Sequence, residues 1–72
     1  MVTSDIIRLA NAGAGIRIDC SNKLVSDLLR IAVAAKKGHG LIFLENTNRL
    51  LVSDKIRIAI AGKGHIIFND II

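Results

Sequence analysis

Apolar residues along this chain fall into two spacings that alternate. Ile6, Ile7, Leu9 and Ala10 sit at helical intervals, and the spacing predicts a first helix from about Ser4 to Ala12. Ile16, Arg17 and Ile18 then alternate as a strand with one apolar face. The helical period returns from about Ser26 to Lys37, where Leu28, Leu29, Ile31, Ala32, Val33 and Ala35 cover more than half the circumference. An arc so wide implies a sheet beneath the helix and neighbouring helices beside it. Leu41–Leu44 and Ile66–Phe68 are short runs of continuous apolar residues, as expected of strands in a parallel sheet covered on both faces.

The pattern repeats in sequence as well as in period. Leu51 to Phe68, LVSDKIRIAIAGKGHIIF, recurs as Leu24 to Phe43, LVSDLLRIAVAAKKGHGLIF, and more faintly as Val2 to Ile18, VTSDIIRLANAGAGIRI. The Ser-Asp pairs lie 22 and 27 residues apart and the apolar runs 25 and 25 apart. One helix and one strand per unit of this length is the signature of a stacked α/β array. A helix between consecutive strands permits parallel pairing. The expected fold is therefore α/β: one domain, residues 1–72, of three tandem helix–strand repeats (about 2–20, 24–46 and 51–70). These form a short solenoid-like layer, a three-stranded parallel sheet with helices on one face.

Local chemistry fits these elements. Ser4 is expected to cap the first helix, and Asp5 to complement the positive end of its dipole. The glycines of AGAGI, KKGHGLI and GKGHII read as helix C-caps, since glycine accepts the left-handed conformation. These joints follow a helix and open a strand, the reverse of a phosphate-binding loop, so they present the wrong end of the dipole to an anion. At the far end, Asn22 and Asn48 are expected to stack as an inward ladder. The N-x-L step and repeat length are similar to those of leucine-rich repeats, but the preceding L-x-L positions fall on Arg17 and Asp19 in one copy and on Phe43 and Glu45 in the other. The similarity reflects shared solenoid physics and assigns no family.

If Ile16, Leu41 and Ile66 face the helices, then Arg17, Ile42 and Ile67 face away, and Leu44 joins them. The described pattern leaves nothing in the chain to cover that second face. The array also reads as uncapped, beginning almost on a helix and closing on Asn69-Asp70-Ile71-Ile72.

Composition sharpens this picture. The chain is 51% hydrophobic, filled by Ile, Leu, Val and Ala, with two Phe and no Trp, Tyr or Pro. Ordering a chain this short costs on the order of 100 kcal/mol at about 1.5 kcal/mol per residue, so a monomer is marginal. An apolar excess in a domain this small points to surface buried against a partner. Ten Lys and Arg against six acids give a net charge of +4, which favours anionic partners without specifying one. Cys20 is alone, which excludes an internal disulfide and suits a reducing compartment. The N-terminus lacks a signal-peptide core, and no stretch nears the ~20 apolar residues of a membrane span. The expected location is cytoplasmic.

Stacking would align residues in rows. Arg8, Arg30 and Arg57 form one, each three residues after Asp5, Asp27 or Asp54, a spacing that permits pairing on the helix surface. His39 and His65 form another, but two histidines fall short of a zinc site, and no nucleophile shares their joint. The sequence points to no catalytic residue, no cofactor site and no metal site, and hence to a protein that is not an enzyme. The leading expectation is a structural or interaction protein that self-associates as a homo-oligomer, ring or filament subunit. Contact would run through the apolar sheet face and open ends (Ile42, Leu44, Ile67, Ile71, Ile72). The alternative is a small basic module whose Arg8, Arg30 and Arg57 contact nucleic acid or an acidic partner.

Overall fold

In the computed structural model, which describes residues 2–69, three helices alternate with three strands. They are α1 (Thr3–Asn11), β1 (Ile16–Asp19), α2 (Val25–Gly38), β2 (Ile42–Glu45), α3 (Val52–Gly62) and β3 (Ile66–Phe68). The strands form one parallel sheet in the order β1-β2-β3, and α2 packs between α1 and α3. Helices and strands thus run across the molecule in the same order, each helix serving as the crossover that parallel pairing needs. Ile18, Ile42 and Leu44 lie under Leu28, Ile31, Ala32, Ala35 and Ile58, forming one apolar core.

Register departs from the sequence expectation in β2. Ile16 faces Ile42 and Ile42 faces Ile66, steps of 26 and 24 positions rather than two equal steps of 25. Side chains alternate along a strand, so a one-residue offset exchanges the two faces. Ile42 and Leu44, expected on the outer face, are fully buried against the helices. Phe43 takes the outer position instead, in register with Arg17 and Ile67. The cause is Gly40. Its backbone N–H bonds the Ala35 carbonyl and its Cα packs against the Ala14 carbonyl, so the joint consumes one more residue before the strand begins.

Helix starts also differ from expectation. The N-caps are Val2, Leu24 and Leu51, all extended and without a side-chain cap bond. Ser4, Ser26 and Ser53 fall one residue inside the helices as their second positions. That register places Asp5, Asp27 and Asp54 in the first turn, where a carboxylate complements the helix dipole.

Helix ends divide into two kinds. Gly13 (φ 92°) closes α1 with a bond from Gly13 N–H to Ala10 O and one from Ala14 N–H to Leu9 O, the paired pattern of a Schellman motif. In α2 and α3 the left-handed residue is not glycine: His39 (φ 61°) and Lys63 (φ 40°) occupy it. The nearby glycines serve proximity instead. A Cβ on Gly38 would overlap the Ala10 and Asn11 carbonyl oxygens, and one on Gly62 would overlap Ile66. These positions let adjacent helix ends and strands approach to backbone contact.

Two substitutions measure this core. Gly38→Val forces α1 and α2 apart at their C-terminal ends and should unfold the chain or lower its stability by several kcal/mol, on the scale of overpacking. Ile31→Ala should cost about 2–5 kcal/mol through lost burial and the cavity left behind. Urea titration followed by far-UV circular dichroism reads both, and an Ile31→Ala loss under about 1 kcal/mol would contradict the core placement.

Candidate interaction surfaces

Three surfaces and one rim collect the residues that could carry function. The first is the open face of the sheet. Arg17, Phe43 and Ile67 lie side by side across the strands, with Arg17 exposed and Phe43 half-buried. Arg17 Nε stands 3.2 Å from Glu45 Oε2, so an ion pair crosses this face. The apolar ground left between these charges is narrow. Of the expected contact residues, Ile67 is here, Ile42 and Leu44 are in the core, and Ile71 and Ile72 lie outside the described residues.

The second surface is the outer side of α3. Val52, Ile56 and Ile60 follow one another at four-residue steps and are 69%, 54% and 63% exposed. Residues four apart share a helix face, so these three form a continuous aliphatic stripe. Ala59 beside them is exposed, whereas Ala10 and Ala32, which hold the corresponding place in α1 and α2, are fully buried. The stripe is bare because no described residue packs on it. Sequence reasoning missed it by treating α3 as another copy of α2. The signal was present in IRIAIA, whose apolar residues surround the helix instead of lining one side.

The third surface is the arginine row. Arg8, Arg30 and Arg57 each approach an Asp three residues earlier, at 4.0, 3.6 and 3.3 Å. All six side chains reach solvent, so the pairs contribute little to stability. The row thus presents alternating charges in place of a basic stripe.

At the helix C-terminal rim, the His39 and His65 rings meet edge to face with centroids 5.8 Å apart. A His65 Nδ1–H donates to the Gly40 carbonyl at 2.7 Å, since a carbonyl can only accept. This bond ties β3's entry to the α2 joint. No cluster of three or more His, Cys, Asp or Glu side chains suited to a metal ion occurs among the described residues. Cys20 lies buried at the opposite end of β1, its thiol directed at the Ile18 carbonyl. The three helices include none long and apolar enough to cross a membrane.

At that opposite end the expected asparagine ladder is absent: Asn22 and Asn48 are both exposed. Different amides connect the strands. Asn46, in the left-handed region (φ 58°), donates from Nδ2 to Asp19 Oδ1 at 2.9 Å, and Asn69 Nδ2 donates to Glu45 Oε2 at 3.1 Å. Arg49 reaches from the second turn to the Cys20 and Lys23 carbonyls of the first. The turns are thus joined by carboxylate–amide and guanidinium–carbonyl bonds, set by position after the strand and not by the N-x-L step.

Asp19 is the group this arrangement perturbs. The Ser21 backbone N–H, bonded to Oδ1 at 3.0 Å, and then the Asn46 amide hold its carboxyl below the ordinary value. A depressed folded-state value means that the contribution is present above the unfolded value, near ~3.9, and is lost as pH falls through the folded one. Asp19→Asn should therefore lower the urea midpoint at neutral pH and flatten its decline below about pH 4. Equal declines in parent and variant would show that these bonds do not persist in solution.

Comparison with protein-family models, with curated proteins and with solved structures finds no match to this chain.

Proposed function

We propose that this chain is a structural or interaction protein that self-associates, built as a short row of three helix–strand repeats with an open apolar end at α3. The observation that carries this reading is the stripe of Val52, Ile56 and Ile60, aliphatic, aligned and more than half exposed. A contiguous patch of this kind marks an association surface. Its position supports the reading further. On the same side of α2, which packs against α3, Ala32 is buried and Val25 and Leu29 are half-buried, with Val33 left exposed. The fold thus already contains a contact of the kind that Val52, Ile56 and Ala59 are suited to make.

The outer face of β1-β2-β3 is the weaker basis for assembly, because the Arg17–Glu45 pair divides it and Ile42 and Leu44 are not on it. The arginine row is weaker still as a nucleic-acid site, since Asp5, Asp27 and Asp54 lie beside its guanidinium groups and offset their charge.

Sedimentation equilibrium of the parent chain should give a mass above the 7.8 kDa of the monomer. Ile56→Glu places a charge where an apolar contact forms and should weaken association by at least about tenfold. Ile67→Lys, off the α3 stripe, should weaken it less than Ile56→Glu does. A folded parent that remains monomeric at high micromolar concentration removes the reading. A nucleic-acid mobility shift at moderate salt, lost in the Arg8→Gln, Arg30→Gln, Arg57→Gln triple variant, would replace it with the basic-module alternative.

A further inference from the structure

The self-association just proposed leaves open which surface of a second copy meets α3. Corresponding positions in the three helices supply the answer. Leu9, Ile31 and Ile58 hold the same place in VTSDIIRLA, LVSDLLRIA and VSDKIRIA, yet Leu9 is 41% exposed while Ile31 and Ile58 are 0%. The polar row behaves likewise. The Arg8 side chain is 84% exposed against 64% and 61% for Arg30 and Arg57, and Asp5 is 52% exposed against 27% and 23% for Asp27 and Asp54. These are positions where α1 is open and α2 and α3 are shielded. The alanines show the opposite polarity: Ala10 and Ala32 are buried and Ala59 is exposed.

Each helix therefore has a leading side, which receives the next helix, and a trailing side, which meets the previous one. Inside the chain this contact forms twice, between α1 and α2 and between α2 and α3. Its two halves are left over at opposite ends of the molecule, the leading half on α3 and the trailing half on α1. The sheet ends in the same sense, with β1 and β3 as its two edges. Unpaired strand edges recruit further strands.

We infer that copies of this chain join head to tail, with the trailing side of α1 and the edge of β1 in one copy seated on α3 and β3 of another. The junction repeats the internal helix–helix contact and continues the parallel sheet, placing Leu9 of the incoming copy over the Ile56–Ala59 region. Such a contact is heterologous, so the assembly runs on as a filament or closes as a ring, according to the rotation at each junction. A two-fold dimer of α3 against α3 would use only one of the two bare sides.

The test exploits the two distinct ends. Leu9→Glu blocks the α1 end and Ile56→Glu blocks the α3 end; both sites are exposed, and far-UV circular dichroism checks that each variant folds. Should either fail to fold, Ala12→Glu and Ala59→Glu serve as the second pair, since both alanines are exposed here. Each variant alone should sediment as a monomer, and an equimolar mixture should give a one-to-one heterodimer through the two unblocked ends, with no larger species. A Leu9→Glu chain that still dimerises while Ile56→Glu does not would overturn head-to-tail joining in favour of a two-fold α3 contact, leaving self-association intact. Two monomeric variants that form no heterodimer would overturn it as well, as would assembly unaffected by either change. A monomeric parent would remove self-association itself.

Discussion

Everything in this fold rests on how closely neighbouring helix–strand units approach at the helix C-terminal rim. Gly38 lies against the Ala10 and Asn11 carbonyls, Gly40 against the Ala14 carbonyl, and Gly62 against Ile66 and the Ala32 methyl. A side chain at Gly38 or Gly40 would hold adjacent units apart, and one at Gly62 would push Ile66 away within the third unit. With the backbones in contact, small residues suffice to fill the helix layer, which explains why Ala10, Ala32, Ala34 and Ala35 are buried there. Larger aliphatics, Leu28, Ile31 and Ile58, then reach down to Ile18, Ile42 and Leu44. Interiors packed at crystal-like density tolerate little variation in such spacing, so the rim contact sets both the helix separation and the strand register.

Polar chemistry in the molecule mostly maintains this frame. His65 is bonded to the Gly40 carbonyl, Arg49 to two carbonyls of the preceding turn, Asn46 to Asp19, and Asn69 to Glu45. Each of these bonds runs between one unit and its neighbour. The helix arginines are likewise engaged locally, each to an aspartate within a turn. The frame also leaves apolar side chains outside it, the α3 stripe and, to a lesser degree, Phe43 and Ile67.

Assembly and folding are linked in such an arrangement. A chain this short buries a limited share of its surface, and among the described residues α1 and α3 each have one side covered by a neighbouring helix and no helix on the other. Joining copies would give α1 and α3 the surroundings that α2 already has. Association of that kind stabilises the folded chain by mass action, so its apparent stability would rise with protein concentration.

The sequence by itself determined the elements, their parallel order and their pairing partners. LVSD, RIA and KGH recur in one order, a helix between apolar runs permits parallel pairing, and equivalent units side by side put the strands in chain order. It also placed Arg8, Arg30 and Arg57 beside their aspartates, because that pairing depends only on spacing within a helix. Tertiary structure alone decided which way β2 faces, what caps each helix, and where the exposed apolar surface lies. Equal spacing of the apolar runs aligned Phe43 with Phe68. The joint at Gly40 instead spends one residue on a backbone contact with Ala14, which turns Ile42 and Leu44 inward and Phe43 outward. That contact is between residues far apart in sequence, and its length is invisible to a periodicity. The α3 stripe escaped for the same reason: whether Ile56 and Ile60 are core or surface depends on what packs beside the helix, and not on the helix itself.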